Sequence, residues 1–408
     1  LTTIHDYLYA KLPDLINPDL MPDMEKATRR IAEARANGEG ILIYGDNDVD
    51  GMTGTALLVD FLSRIGCRVI YYLPDRNASR MSLSTEARTL AQREACSLII
   101  TVDCGTTAAD EVAILATHGI DVIVTDHHEP TDTLPEAVAL LNPKLTSSSY
   151  PNRDITGVGA AFKLAHALTT QIVATEGRDK EAIELKELLD LVALGTIADM
   201  GALTGENRIF VRYGLREGAQ TERVGLRALM NICDIPEGTL STTDIASKIA
   251  PRLNSLGRID EPNRGVALLL TRDGKEAKQL SADIDSNNTE RQRIERCDAD
   301  DIEEHLASHT DIAKQRAIIL ASSAWHQGII PILAARIAKH YNKPTLIIAI
   351  ENGVGKGSFR TIPEFPLLPT LVAQRDLLID FGGHDYAAGL TIKEENIPAL
   401  TERLLKEA

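Results

Sequence analysis

Three aspartates, Asp46, Asp48 and Asp50, alternate with Asn47 and Val49 in YGDNDVDG, directly after the apolar run Ile41-Leu42-Ile43. Like charges packed this closely raise one another's pKa and cost stability. A divalent cation reverses that cost. Further along, Asp103 closes SLIITVD, His127 and His128 close DVIVTDHH, and Asp199 lies in GTIADM. Carboxylates with one or two imidazoles suit Mn²⁺ or Mg²⁺, the nitrogen ligand favouring Mn²⁺. A carboxylate between two such ions bridges them, and a pair about 4 Å apart clamps an in-line phosphoryl displacement. Each piece has a plainer alternative. Asp50-Gly51 before a helix can simply cap it, and Asp103 can cap at a strand-to-helix turn. A lone His is usually structural, but His-His at the mouth of an acidic crevice is a poor core motif. Asp199 alone says little. What ties these residues together is their position in the pattern of elements.

That pattern alternates short β-rich runs with helical ones. Residues 41–44, 68–73, 97–103 and 121–128 read as strands, and 53–66, 82–95 and 107–119 as helices. Such alternation predicts a parallel, doubly wound α/β sheet, whose ligands sit at the carboxyl ends of the strands. GDNDVDG, VDCG and TDHH fall at three such ends. Residues 24–37, 157–175 and 180–198 read as further helices, and 144–154 as a polar loop. A long charged stretch with few apolar anchors predicts a connecting helix over 273–308. A second α/β unit follows, with strands over 317–323 and 344–350 around a helix over 328–341, and ends in GVGKGSFRT and FGGHDYAAGLTI. The expected organisation is a metal-binding sheet domain over 1–272, the helix, and a smaller α/β substrate domain over 309–408.

The net charge of -16 over 408 residues argues against nonspecific nucleic-acid binding. An anionic substrate would need a local basic groove, metal ions, or both. Aromatics at 4% leave little for long base-stacking platforms. No apolar run approaches the roughly 20 residues that span a bilayer, and the N-terminus lacks the pattern of a signal peptide. The first residue is Leu, so the natural start can lie upstream. Five cysteines without a CxxC pair suit a reducing, cytoplasmic compartment.

DNDVDG, VDCG, TDHHEP and GTIADM, in this order, resemble the successive motifs of the DHH phosphoesterase superfamily. LLNPK, GVGAAFKLAHAL, GENRIFVRYGL, APRLNSLGRID, NNTERQRIE, the segment 322–349, GKGSFRT and FGGHDYAAGLTI narrow the likeness to RecJ-type single-strand-specific exonucleases. The resemblance covers nearly the whole chain. It implies two metals held by Asp48, Asp50, Asp103, His127 and Asp199, with Asp103 as the bridge and Asp46 at a further acidic position. It implies that Asp126 orients a histidine and that His128 faces the substrate phosphate. The metals would generate a hydroxide for in-line attack on a phosphodiester of single-stranded nucleic acid, 5′ to 3′, releasing mononucleotides. Replication or repair proteins are the implied partners.

For the second unit the resemblance implies phosphate contacts from Arg336, from Ser358 and Arg360, and from Gly382, Gly383 and His384. GKGS and FGGH also read as phosphate loops by composition, since glycine N–H groups can approach an oxyanion. The plainer alternatives are a tight turn and a surface salt bridge. Arg252, Asn254 and Arg258 match a family loop near the crevice; they guide the strand or stitch the first domain to the connecting helix, and both readings stand. Trp325 fits an interdomain face better than a base stack.

The chain also departs from the family. Residues 79–82 stand where a Glu-Gly-Tyr-Gly-like segment is usual, which touches one wall of the strand path, and Asn47 replaces a frequent Tyr. Fuller RecJ enzymes continue with an OB-fold, so a chain ending at 408 is expected to bind strands more weakly unless more protein follows. Two rivals remain: a small-substrate enzyme of the superfamily (nanoRNase, nucleotide phosphatase or cyclic-dinucleotide phosphodiesterase) and a non-catalytic replication scaffold.

Overall fold

In the computed structural model the apolar run Gly40–Gly45 forms β1, a strand buried along its whole length. The structure describes residues 4–74, 83, 85–177, 184–309, 312, 314–363, 365–384 and 386–407. β1 lies between β2 (Arg68–Tyr72) and β3 (Cys96–Val102), and β4 (Asp121–Thr125) and β5 (Ala139–Leu141) extend the sheet in the order β2-β1-β3-β4-β5. Every pairing in it is parallel.

Successive side chains of a strand face opposite ways, so this sheet builds two cores. Ile41 and Ile43 join Leu98 and Ile100 on one face. Leu42 and Tyr44 join Ile99 and Val124 on the other. Helices α1 (Met24–Asn37) and α2 (Val49–Arg64) cover the first face, and α3 (Thr85–Arg93) and α4 (Ala109–Thr117) the second; α5 (Gly157–Glu176) and α6 (Leu189–Ala198) complete the first. This is the parallel doubly wound sheet that the alternation predicts.

The differences are local. α2 starts at Val49, four residues before the expected start, because the Asp48 carboxylate caps it. The fourth strand stops at Thr125 and frees His127 and His128 from the ladder. The apolar residues of LLNPK form the short β5. The helix expected over 180–198 begins at Leu189 after a single 3₁₀ turn, and residues 178–183 lie outside the described ones.

The longer helices that follow are α7 (Gly205–Ala219), α8 (Val224–Ile232), α9 (Ala250–Ile259) and α10 (Asn263–Leu270). PRLNSLGR lies inside α9 rather than in a loop; the backbone is already helical through Thr242–Asp244 and a π turn at Ile245–Ile249, and Pro251, which has no N–H to donate, lies just after that π turn. α11 (Gly274–Ser308) is a 35-residue helix. The chain divides into two compact units, Leu1–Asn287 and Asn288–Ala408, and the division falls within α11. Few apolar residues anchor this helix, so polar contacts hold it in each unit. Arg252 and Arg264 grip Asp285 and Asp283 in the first. In the second, Trp325 Nε1 donates to Asp301 Oδ2 at 2.7 Å, and Tyr341 donates to Glu303.

The second unit carries a mixed sheet in the order β6-β7-β8-β10-β9: β6 (Ile318–Ser322), β7 (Thr345–Glu351), β8 (Val354–Arg360), β9 (Leu378–His384) and β10 (Ala387–Lys393). Only β6 and β7 pair in parallel. Helix α12 (Ile330–Tyr341) joins them. GKGSFR and FGGH are therefore antiparallel strands rather than loops. The glycines serve sheet packing: a Cβ on Gly357 would come within 2.7 Å of Leu390 Cδ1 and one on Gly355 within 2.8 Å of Ile348 Cγ2. Among the described residues no helix is long and apolar enough to cross a membrane.

Candidate metal centre

The parallel register sets the acidic residues in one row. Asp46, Asp103 and Asp126 each follow the last residue of a strand. Their N–H groups donate to the carbonyls of Val102 at 3.1 Å, Thr125 at 2.9 Å and Leu141 at 3.1 Å. The ladder thus runs one residue past each strand end and lines three aspartates along the carboxyl edge, where open α/β sheets bind ligands. Asp103 sits there at φ 62°, a left-handed conformation costly for a residue with a Cβ and concentrated at functional sites.

The loop after β1 supplies two more carboxylates with different tasks. Asp48 Oδ1 accepts from the N–H groups of Asp50 at 2.9 Å and Gly51 at 3.1 Å and so caps α2. Asp50 is buried and reaches a different helix. Its Oδ2 accepts from Gly157 N–H at 2.6 Å and its Oδ1 from Val158 N–H at 2.9 Å, the first two residues of α5. Two donors and the positive end of the helix dipole hold this carboxylate in place.

His127 faces the same group of oxygens. Its Nε2 lies 2.9 Å from Asp103 Oδ1, 3.8 Å from Asp199 Oδ2 and 4.0 Å from Asp50 Oδ2. Three overlapping sets result, each with donor atoms within 4.8 Å of one another: Asp50, His127 and Asp199; Asp103, His127 and His128; Asp46, Asp48 and Asp103. Asp103 and His127 each belong to two of them.

Asp103 Oδ1 is buried and has no hydrogen-bond partner among the described residues; the 2.9 Å approach of His127 Nε2 lacks hydrogen-bond alignment. Buried carboxylate oxygens are almost always bonded, so converging ligand atoms that leave this oxygen unbonded are what a cation would satisfy. The charges agree. Burial, then the Asp50, Asp48, Asp46 and Asp126 carboxylates, push the Asp103 carboxyl well above its ordinary range. Burial, then Asp199 and Asp48, raise Asp50 against the pull of the two α5 N–H groups. Burial, then Asp48, raise Asp199 to about 6, with His128 and Lys144 opposing. The donor set fits divalent cations of the Mn²⁺ or Mg²⁺ type.

Asp126 does other work. Its Oδ1 accepts from the N–H groups of His127 at 2.7 Å and His128 at 3.1 Å and lies 2.8 Å from His128 Nδ1. Its Oδ2 accepts from Thr106 N–H at 2.9 Å. Burial alone would raise this carboxyl, but the His128 contact and Thr106 hold it well below the usual range. Burial would likewise lower the His128 imidazole; the Asp126 hydrogen bond and charge, with Asp46 and Asp48, lift it to about 9. Behind them Asn142, fully buried, donates to the His128 carbonyl at 2.9 Å and to Thr106 Oγ1 at 2.9 Å.

Three glycines belong to this centre though no motif gave them a role. A Cβ on Gly157 would stand 2.5 Å from Asp103 Cβ, and one on Gly195 would stand 2.7 Å from Asp50 Oδ1. One on Gly257, in α9, would stand 2.2 Å from the Asn47 carbonyl oxygen, against the loop that carries Asp46 and Asp48. Isolated glycines inside helical runs are the signal that could have found them. Gly257→Ala is expected to lower turnover about 10- to 100-fold, the usual cost of disturbing support behind a metal site, with far-ultraviolet circular dichroism unchanged. Turnover within twofold of the parent would show that the loop yields freely.

The other sequence candidates are placed as follows. Arg252 Nε lies 2.8 Å from Asp285 Oδ1 and its Nη1 donates to the Lys248 carbonyl at 2.9 Å, so this arginine stitches α9 to α11. Asn254 and Arg258 are half-buried on α9. Arg336 is exposed on α12. The register aligns Arg360, Ala387 and His384 in one row and Ser358, Gly389 and Gly382 in another across β8, β10 and β9. Gly383 stands between, paired with Ala388. Arg360 Nη1 donates to Ser358 Oγ at 3.0 Å. Trp325 is largely buried within the second unit, where its Nε1 donates to Asp301. Residues 79–82 lie outside the described ones.

Comparison with known proteins gives one consistent answer. Residues 40–196 match the model of the DHH family, N-terminal domain, and residues 314–408 match the DHHA1 domain. The single-stranded-DNA-specific exonuclease RecJ of Bacillus subtilis is 38% identical over 98% of the chain, which spans 49% of that protein. That of Salmonella typhimurium is 38% identical over 93% of the chain and 68% of its own length. The crystal structure of RecJ in complex with Mn²⁺ from Thermus thermophilus superposes with a TM-score of 0.81 at 33% identity, over 95% of this chain and 54% of that one. A crystal structure of exonuclease RecJ bound to manganese gives 0.82 at 33% identity, over 95% and 94%. The chain thus spans about half the length of the first of these relatives.

Proposed function

The chain belongs to the RecJ-type branch of the DHH phosphoesterases, and from that premise we propose that it is a divalent-metal-dependent phosphodiesterase that degrades single-stranded DNA from an end, 5′ to 3′, releasing mononucleotides. The observation that carries this is the buried, unsatisfied Asp103 Oδ1 at the overlap of the donor sets. Asp48, Asp50, Asp103, His127 and Asp199 would hold two cations, with Asp46 beside them and Asp103 shared. Cations bound there supply charge neutralisation at the phosphoryl oxygens and an acidified water.

The protein's own groups do the rest. Asp50, fixed by the start of α5, and Asp103, fixed by the ladder, keep their oxygens in place without reorganisation. Asp126 holds His128 by Nδ1, which directs the other ring nitrogen outward as a hydrogen-bond donor to a phosphate oxygen. The Asp126 hydrogen bond and charge favour the protonated form of that imidazole, which suits an anion. Phosphate contacts in the second unit fall to Arg336, Ser358, Arg360 and the backbone of Gly382, Gly383 and His384. A reducing, cytoplasmic setting fits the five unpaired cysteines, and replication or repair proteins are the proposed partners.

The test is degradation of a 5′-labelled single-stranded DNA of a few dozen nucleotides in Mn²⁺ and in EDTA, beside a duplex and a dinucleotide. Metal-dependent loss of the single strand with the duplex spared is expected. Cleavage of the dinucleotide alone would move the protein to the small-substrate branch, and no turnover at all to a scaffold.

A further inference from the structure

A lysine stands at the rim of the metal centre with its backbone fixed at both ends. Lys144 follows β5 by three residues. Its N–H donates to Asn142 Oδ1 at 2.8 Å, and its carbonyl accepts from Arg153 Nη2 at 2.8 Å. The same Asn142 amide bonds the His128 carbonyl. One buried side chain therefore sets the backbone of a histidine at the centre and the start of the lysine.

The ammonium pairs with the residue next to His128. Lys144 Nζ lies 3.2 Å from Glu129 Oε1, and Glu129 is the residue after His128. The lysine side chain is 21% exposed and the glutamate 63%, so water reaches the pair mainly from the glutamate side. The lysine charge is also felt at Asp199, where it opposes the rise of that carboxyl.

We propose that Lys144 is a substrate-phosphate contact, held by Glu129 until a phosphate of the single strand takes the carboxylate's place. This rests on the phosphodiesterase reading of the same centre. The chemistry is an exchange of anions on one cation. A Glu–Lys pair that water reaches on its glutamate side is weakened by that screening and can be given up. Lysine binds phosphate as a point charge and needs no fixed fork geometry. The acidic cluster needs a cation on its rim, because a polyanion approaching uncompensated carboxylates is repelled until metals and basic groups offset them. Asn142 and Arg153 hold the lysine backbone, so only its side chain moves in the exchange.

The experiment compares Lys144→Gln, Lys144→Arg and Glu129→Gln with the parent, measuring Mn²⁺-dependent hydrolysis of a single-stranded oligonucleotide over a range of salt. Lys144→Gln is expected to raise KM about 5- to 10-fold, with a smaller change in kcat. It should also lower the salt dependence of binding by about 0.7 in log–log slope, the share of one phosphate on a single strand. Lys144→Arg should restore both, and Glu129→Gln, by freeing the ammonium, should lower KM. Unchanged KM and salt slope in Lys144→Gln would overturn the assignment. So would a fall in kcat alone, which is the mark of a prop for His128, or a rise of KM in Glu129→Gln. Absence of turnover by the parent chain would overturn the phosphodiesterase reading itself, a result none of the variants can mimic.

Discussion

Asp103→Asn is expected to abolish measurable hydrolysis and, in the metal-free protein, to raise thermal stability. The two effects share one cause. Asp103 is buried, stands at φ 62°, and faces His127, Asp46 and Asp48. The carboxylate belongs to two donor sets, so its loss removes charge from both. A fall on the order of 10³-fold or more, ~4 kcal/mol of transition-state stabilisation, is expected. Without metal the same carboxyl either keeps a proton above its ordinary range or stays charged among like charges. Asn does neither at nearly the same volume. A rise in Tm of about 2–4 °C in EDTA is expected, with the Mn²⁺-induced rise in Tm largely lost. Turnover in Mn²⁺ and thermal melts in Mn²⁺ and EDTA check both halves. An active Asp103→Asn enzyme would remove Asp103 from the centre; an inactive one less stable than its parent would show that the aspartate supports the fold.

The gap between Tm in Mn²⁺ and Tm in EDTA should widen as pH rises from about 5 to 8. Folded Asp199 has its pKa raised to about 6, and Asp50 and Asp103 are raised as well, while in the unfolded chain carboxyls titrate near 4. Above that value the folded, metal-free protein holds protons that the unfolded chain has released. Stability then falls with rising pH, by up to about 1.4 kcal/mol per pH unit per excess proton. His128 adds the same sign at higher pH: its folded pKa of about 9 contributes stability that is complete below about 6.5 and lost towards 9. Asp126 runs the other way, but its depressed carboxyl matters only in acid, where its contribution is lost. Bound cations keep the carboxylates ionised, so the EDTA curve declines while the Mn²⁺ curve does so less. At a hundredfold excess over Kd a ligand adds about 2.7 kcal/mol, enough to read as a Tm shift. A gap that stays constant from pH 5 to 8 would mean that the acidic row is not where the metal acts.

Much of this centre was legible in order of residues, because its ligand types lie at element boundaries. Asp46 to Asp50, Asp103 and His127 follow apolar runs, and a parallel sheet gathers the ends of such runs at one edge. Element ends were less legible. The fourth strand stops at Thr125 because Asp126 turns its carboxylate back onto the N–H groups of His127 and His128. The glycine-rich segments of the second unit looked like loops by composition. They are strands because the missing Cβ atoms of Gly355 and Gly357 admit Ile348 and Leu390 from neighbouring strands, a contact invisible in local sequence. Nothing in the local sequence pairs Arg252 with Asp285; that ion pair is visible only in the structure.

The sequence by itself determined the alternation of elements, the doubly wound sheet and the carboxylate and imidazole groups at its carboxyl edge. Residue type and period-2 or helical patterning are local properties, and the apolar runs leave few ways to bury them. Only the tertiary structure decided which carboxylate does what. Asp48 caps its own helix, Asp50 the helix that begins over a hundred residues later, Asp126 turns to the histidines, and Asp103 keeps an oxygen without a hydrogen-bond partner among the described residues. Those roles depend on strand register and on how closely α5, α6 and α9 approach the loops through Gly157, Gly195 and Gly257. Such distances are set by packing between residues far apart in the chain.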